Sequence, residues 1–413
     1  MEFIADLHIH SRYSIACSRQ LCPETLYEWC QLKGITVLAT GDFTHPSWSA
    51  ELKEKLVPAE PGLYRLKPDL ANAVDAKIPP SCKIPVRFLL GTEISCIYSK
   101  TGKVRKVHNL VFAPSFEVAA RISARLEKIG NIRSDGRPIL GLDSRDLLAI
   151  VLDSSDESFL VPAHAWTPHF GVLGSESGFD SLEECYGDLT PRIFALETGL
   201  SSDPQMNWRL SALDRITLIS NSDAHSPEKI AREANVMDAE LSYQGIFDAI
   251  RRRGPGRMVC TLEFFPQEGK YHLDGHRNCR TRLDPEETER LGGLCPVCKK
   301  PVTVGVLHRV RKLADRRLGR QPSSTAGFES LIPLKEILGE VLDVGPGSRK
   351  VDTLYRQLLA KFGSELHILR RLPFERLGTE GFSPLAAAIK RMRNGNVHME
   401  PGYDGEYGKI SLI

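Results

Sequence analysis

The chain has 413 residues, 41% of them hydrophobic, with a mean hydropathy of −0.22. That is too long for one ordinary core and predicts two or three domains. No apolar run reaches membrane-spanning length, and Asp6 interrupts the only apolar stretch at the N-terminus, so neither a membrane protein nor a signal peptide is expected and an intracellular setting is.

The charge is uneven. Residues 251–413 hold 29 basic and 19 acidic side chains, an excess of ten, whereas the earlier part holds 25 and 33. A basic second half suits a polyanion, although ordinary surface charge accounts for an excess of this size as well. The ten cysteines are mostly scattered, which is no disulfide framework.

Apolar, β-branched runs recur at 3–9, 35–41, 87–98, 106–113, 159–164, 193–198 and 215–221, with helical patterns between several of them. Pro23 to Lys33 is one such helix: Pro23 suits the first helical position and Gly34 the end. Phe116 to Ile129, ended by Gly130, is another. Alternating strands and helices predict a parallel sheet with crossovers, and seven strands over this length suit a closed α/β barrel.

All seven strands carry a His, Asp or Glu, mostly near the C-terminal end, where barrel active sites gather. The first holds Asp6, His8 and His10, which share a face at strand periodicity. The others bring Asp42 and His45, Glu93, His108, His164, Glu197, and Asp223 with His225. Carboxylates beside apolar strands are costly unless paired or bound to metal. Six imidazoles and four carboxylates can hold two or three ions, and such mixed donors fit Zn²⁺, Mn²⁺ or Fe²⁺ and accept Mg²⁺. Clustered divalent ions suit phosphoester hydrolysis. No G-x-S-x-G elbow, Walker loop or dinucleotide fingerprint competes. Asp6 either binds metal or orients a histidine from behind. His169 reads as a loop residue outside the site. Trp48, Trp166 and Phe170 lie on loops above it, as core or as stacking partners for a base.

His276-x2-Cys279 and Cys295-x2-Cys298, 15 residues apart, have zinc-ribbon spacing, with His272 and His308 as alternative fourth ligands. Arg277, Arg280, Lys299, Lys300 and Arg309 surround them and are candidate DNA contacts. Beyond lie an amphipathic helix over 307–318, a linker over 320–327, and helices over 329–343, 351–362, 364–371 and 384–393. The expected division is 1–255, a zinc module over 256–310, and a mainly helical basic region over 311–413.

Asp6-x-His8-x-His10, Gly91-Thr92-Glu93, His164 and Ser222-Asp223-Ala224-His225 resemble the motif set of the polymerase and histidinol phosphatase (PHP) superfamily. The resemblance covers about residues 1–250 and implies a distorted seven-stranded (β/α)7 barrel with a trinuclear metal site. One departure concerns an acidic residue that many relatives carry about eight positions after the second histidine. This chain has Cys17-Ser18-Arg19 there, which leaves Asp42 or Glu197 to supply the charge. Within the superfamily most of the chain resembles the endonuclease Q family of DNA-repair nucleases, through Gly41-Asp42-Phe43-Thr44-His45-Pro46, Ala163-His164-Ala165-Trp166-Thr167-Pro168, residues 197–203 and residues 270–315. That resemblance implies metal-dependent cutting 5′ to uracil, hypoxanthine, xanthine or an abasic site, with Asp223, His225, His8 and His10 at the reacting centre and DNA as partner. A replication-clamp contact stays open. The competing readings are a phosphatase of histidinol-phosphate type and a non-enzymatic, metal-containing DNA-binding protein.

Overall fold

The computed structural model describes residues 1–317, 319–322 and 325–412. Leu318, at the end of the expected amphipathic helix, and Ser323 and Ser324, within the expected linker, lie outside them.

The chain folds as a mixed α/β structure around one large sheet, with a helical C-terminal region. Its strands in chain order are β1 (Glu2–Asp6), β2 (Val37–Ala39), β3 (Leu56–Pro58), β4 (Tyr64–Leu66), β5 (Arg87–Lys100), β6 (Lys103–Ala113), β7 (Ile139–Leu140) and β8 (Phe159–Pro162). There follow β9 (Ala195–Glu197), β10 (Thr217–Ile219), β11 (Ala234–Asp238), β12 (Arg257–Glu263), β13 (Asp274–His276), β14 (Thr281–Leu283) and β15 (Gly327–Ser330). The seven expected apolar runs all contain a strand. Their ladders are only partly parallel. β1, β2 and β5 pair in parallel, as do β9 and β10, but β5–β6 and β6–β8 are antiparallel.

The reason for the antiparallel pairs is local. Lys100 and Lys103 face each other across a tight turn in which Thr101 and Gly102 both have positive φ, so the two long strands form a hairpin with no crossover. The β9–β10 pair forms its own two-stranded ladder. Beyond their ends, the segments that continue β1 and β10 meet at a parallel bridge, Ile9 to Ala224. β11 and β12 extend the sheet antiparallel from β1, and β15 adds a parallel edge. Both β12 and β15 come from the part of the sequence read as lying beyond the barrel.

The helix Pro23–Lys33 has its expected limits. Pro23 occupies the first turn, and Gly34 closes the end at φ 94° while donating to the Cys30 carbonyl. Leu26 and Cys30 are fully buried, the leucine side chain stabilising the fold by about 1.5–3 kcal/mol. The second expected helix runs Phe116–Glu127, capped by the Ser115 hydroxyl on the Val118 N–H. In the C-terminal region the helices are Leu334–Val341, Arg349–Phe362, Glu365–Arg370 and Ser383–Arg393, with Phe374–Thr379 unanticipated. The amphipathic helix spans Val306–Leu313. Among the described residues no helix is long and apolar enough to cross a membrane.

Candidate metal centre

The strand ends bring ten donor-type residues to one region, but not on equal terms. His8 and His10 continue β1 and are buried. His10 Nε2 lies 3.1 Å from Asp223 Oδ1 and 3.3 Å from Glu93 Oε2. His8 Nε2 lies 3.5 Å from Asp223 Oδ1 and 3.6 Å from Glu93 Oε2, and has no hydrogen-bond partner. Glu93 Oε1 faces the other way, 2.6 Å from His108 Nδ1 and 3.0 Å from His164 Nε2. Two donor groups therefore exist, His8–His10–Glu93–Asp223 and Glu93–His108–His164, each with donor atoms within 4.8 Å of one another. Glu93 belongs to both. Donors sharing one divalent ion at about 2.0–2.2 Å stand roughly 3–3.6 Å apart, a spacing these pairs meet except for the closer Glu93–His108 contact, so the set fits metal ions. The buried, partnerless His8 nitrogen is the clearest sign of it.

The remaining candidates stand behind or beside these groups. Glu197 receives His8 Nδ1 at 3.0 Å, and its oxygens also accept from Asn221 Nδ2 at 2.8 Å and His164 N at 2.7 Å. Asp42 receives His10 Nδ1 at 3.2 Å, together with Ser11 N, Ser11 Oγ and Ser14 Oγ at 2.6–2.9 Å. Both carboxylates hold a ring in place from its far side. Asp6 accepts the backbone N–H of Ser222 at 3.1 Å and of Ala231 at 3.0 Å. It fixes the loop carrying Asp223 to β1 and orients no imidazole. His45 precedes the helix Pro46–Lys55 at its N-cap position without a side-chain cap bond, and its Nε2 lies 3.0 Å from the Arg133 carbonyl. His225 is partly exposed at the mouth, its ring 4.7 Å from that of His10 and its Nδ1 on the Asp223 carbonyl at 2.8 Å. Asp42, His45, Glu197 and His225 thus lie outside the two donor groups.

Asp42 (φ 51°), His164 (φ 29°) and Asp223 (φ 46°) all adopt left-handed backbone, which is costly for these side chains and typical of functional turns. Gly41 (φ 62°) is required beside them, since a Cβ there would fall 2.4 Å from the Ile9 carbonyl oxygen.

Electrostatics agree with the geometry. Burial acts to lower the His8 and His10 pKa values, but Glu197, Asp223 and Glu93 outweigh it at His8, and Asp223, Asp42 and Glu93 at His10, so both rise. Burial would raise Glu93, yet His108, His8 and His10 hold it well below the usual carboxylate range. His108 is driven down to about 4, chiefly by burial.

Arg137 belongs to the region although no motif marked it. Its Nη1 lies 3.2 Å from Glu93 Oε2, and its side chain is a quarter exposed. In the turn Asp135-Gly136-Arg137-Pro138, only its charge was a signal. Trp48 and Trp166 are core residues: Trp48 Nε1 donates to the Gly41 carbonyl and Trp166 Nε1 to Asn207 Oδ1. Phe170 is partly exposed, 4.4 Å from the His108 ring. His169 is exposed and outside both groups.

His276, Cys279, Cys295 and Cys298 converge within 4.8 Å, on the β13–β14 hairpin and the turn closed by Cys295 N to the Lys300 carbonyl. His272 is buried elsewhere, and His308 Nδ1 instead pairs with Asp274 Oδ2 at 2.6 Å. Arg277, Arg280, Lys299 and Lys300 are exposed around the module. Arg309 is not available to phosphate. It is buried, and its guanidinium donates to the Leu173 and Phe179 carbonyls and to Asp180 Oδ1 at 2.7–2.9 Å.

These features define an α/β protein with a shared His/carboxylate centre and a separate Cys₃His cluster. Over its whole length the chain superposes on the lesion-specific endonuclease PfuEndoQ of Pyrococcus furiosus, with a TM-score of 0.86, 31% identity and 95% of that chain covered. It superposes equally, at TM-score 0.86, 31% identity and 97% coverage, on endonuclease Q in complex with a 27-mer duplex bearing an abasic lesion at the active site. The chain belongs to the endonuclease Q family. In sequence it is 29% identical to YqxK of Bacillus subtilis over 98% of both chains. It is 30% identical over 286 residues to MJ0043 of Methanocaldococcus jannaschii; that match takes in 66% of this chain and only about a third (35%) of the archaeal protein's length. Residues 333–396 match the family described as the MJ0043 C-terminal domain.

Proposed function

We propose that the protein is a metal-dependent DNA-repair endonuclease that hydrolyses the phosphodiester 5′ to a deaminated base (uracil, hypoxanthine or xanthine) or an abasic site. The observation that carries the reading is the whole-chain likeness to lesion-specific endonuclease Q, and the two donor groups that share Glu93 in this chain support it. Divalent ions bound there, Zn²⁺, Mn²⁺ or Mg²⁺, supply positive charge to the attacking and leaving oxygens of a phosphodiester.

The chain's own residues set the geometry. Glu93 offers one oxygen to each donor group, and Glu197 and Asp42 fix the tautomer and tilt of His8 and His10. Arg137 places a guanidinium in the same space, where it suits a phosphate oxygen. The Cys₃His cluster is proposed as a structural zinc site whose exposed Arg277, Arg280, Lys299 and Lys300 contact the DNA backbone.

The test is nicking of end-labelled duplexes holding one deoxyuridine, deoxyinosine or abasic site, with Mn²⁺ or Mg²⁺ added. A cut on the 5′ side of the lesion, leaving the undamaged duplex intact, supports the reading. No lesion-directed nick under any metal, with fast turnover of a phosphomonoester, refutes it.

A further inference from the structure

His8 and His10 are 2% and 0% exposed, and inspection of a lesion base beside so recessed a centre calls for taking that nucleotide out of the stack. Proteins that open a duplex commonly push an apolar side chain between base steps. Such a wedge has to be apolar, exposed, rigidly backed and beside the chemistry. Ile15 meets all four conditions. It is 66% exposed. Its neighbour Ser14 donates from Oγ to Asp42 Oδ2 at 2.9 Å and lies 3.4 Å from His10 Nδ1.

The backbone under Ile15 is fixed from two directions. Its own N–H donates to Asp135 Oδ1 at 3.1 Å, and the same oxygen accepts from Arg137 N at 3.2 Å. Gly136 N donates to the Tyr13 carbonyl at 3.0 Å. A Cβ on Gly136 would fall 2.3 Å from Asp42 Oδ2 and 2.4 Å from Ser14 Oγ, so this turn lies directly on the residues that hold His10. On the other side Ala16 turns back at φ 64° and Ser18 N donates to the His225 carbonyl at 2.8 Å. Single exposed apolar side chains are ordinary on protein surfaces. An apolar tip whose backbone is tied to the shell of the metal centre on both flanks, with the Arg137 guanidinium alongside, is not ordinary.

We infer that Ile15 is the duplex-opening wedge of this protein, inserted into the base stack next to the lesion; the inference rests on the nuclease reading above. The test compares Ile15→Ala and Ile15→Leu with the native chain on two substrates, deoxyuridine in a fully paired duplex and the same deoxyuridine in a short unpaired bubble. A 2-aminopurine beside the lesion reports unstacking in the duplex, in a His8→Ala background that does not cut. The expected result for Ile15→Ala is loss of the fluorescence rise and about tenfold slower nicking of the paired duplex, with the bubble cut within about twofold of native and Ile15→Leu restoring both. Native rates and fluorescence for Ile15→Ala on the paired duplex, or an equal loss on both substrates, would overturn the wedge. A native chain that nicks neither substrate would instead overturn the nuclease reading, and the wedge with it.

Discussion

Glu197 and Asp42 show how far a residue's type falls short of its role. Each is a buried carboxylate at a strand end, and from the sequence each was a candidate ligand. Each instead accepts the far ring nitrogen of a histidine whose near nitrogen faces the centre. Glu197→Gln and Asp42→Asn are therefore expected to keep the fold and weaken metal binding by about 10–100-fold, read by calorimetric titration with Mn²⁺. Unchanged affinity would show that the two carboxylates do not set the ligands. His272 gives a pH prediction. Burial lowers its pKa to about 4, whereas the unfolded side chain titrates near its ordinary value of about 6.5. Below pH 6.5 the unfolded chain takes up the proton first, so stability falls between pH 6.5 and 4, by on the order of 3 kcal/mol from this residue. His272→Gln should flatten that part of the stability–pH curve in thermal unfolding.

At the scale of elements, the apolar runs were legible because strand formation needs only local patterning. The antiparallel pairing of β5 and β6 was also legible, though the expected parallel sheet passed over it: the seven residues between the runs 87–98 and 106–113 are too few for a crossover, which takes about a dozen or more. The left-handed turns at Asp42, His164 and Asp223 were not legible, because no side chain there is a glycine. The three cysteines of the Cys₃His cluster were legible from their spacing, whereas the fourth position stayed open between His276, His272 and His308 until the fold brought His276 to them. Arg309 was misread because a surface-type residue was turned inward by three oxygen acceptors from distant loops. Two substitutions probe elements directly. A Cβ at Gly199 (φ 63°) would fall 2.5 Å from His164 Cβ, so Gly199→Ala should displace His164 and lower the metal content of its donor group in elemental analysis. If the Cys₃His cluster holds zinc as proposed, Cys295→Ser should lower zinc uptake there in elemental analysis while metal uptake by the centre at His8 and Glu93 is unchanged.

For the molecule as a whole, the C-terminal helices are bound to the sheet region by a buried ion pair. Lys33 Nζ lies 2.8 Å from Glu365 Oε2, which also accepts the Tyr355 hydroxyl at 2.7 Å. Glu365→Ala leaves the buried Lys33 unpaired and is expected to cost roughly 3–5 kcal/mol, measurable by denaturant unfolding. On the proposed reading, the buried centre and the basic surface around the Cys₃His cluster act on one substrate. This is tested most directly by mapping the cut in an end-labelled duplex with a single deoxyuridine, using the native chain and His8→Ala. The account predicts one nick immediately 5′ to the deoxyuridine for the native chain, and none for His8→Ala with its salt-dependent DNA binding intact. A nick from His8→Ala at the native rate, or none from the native chain with any divalent metal, would contradict it.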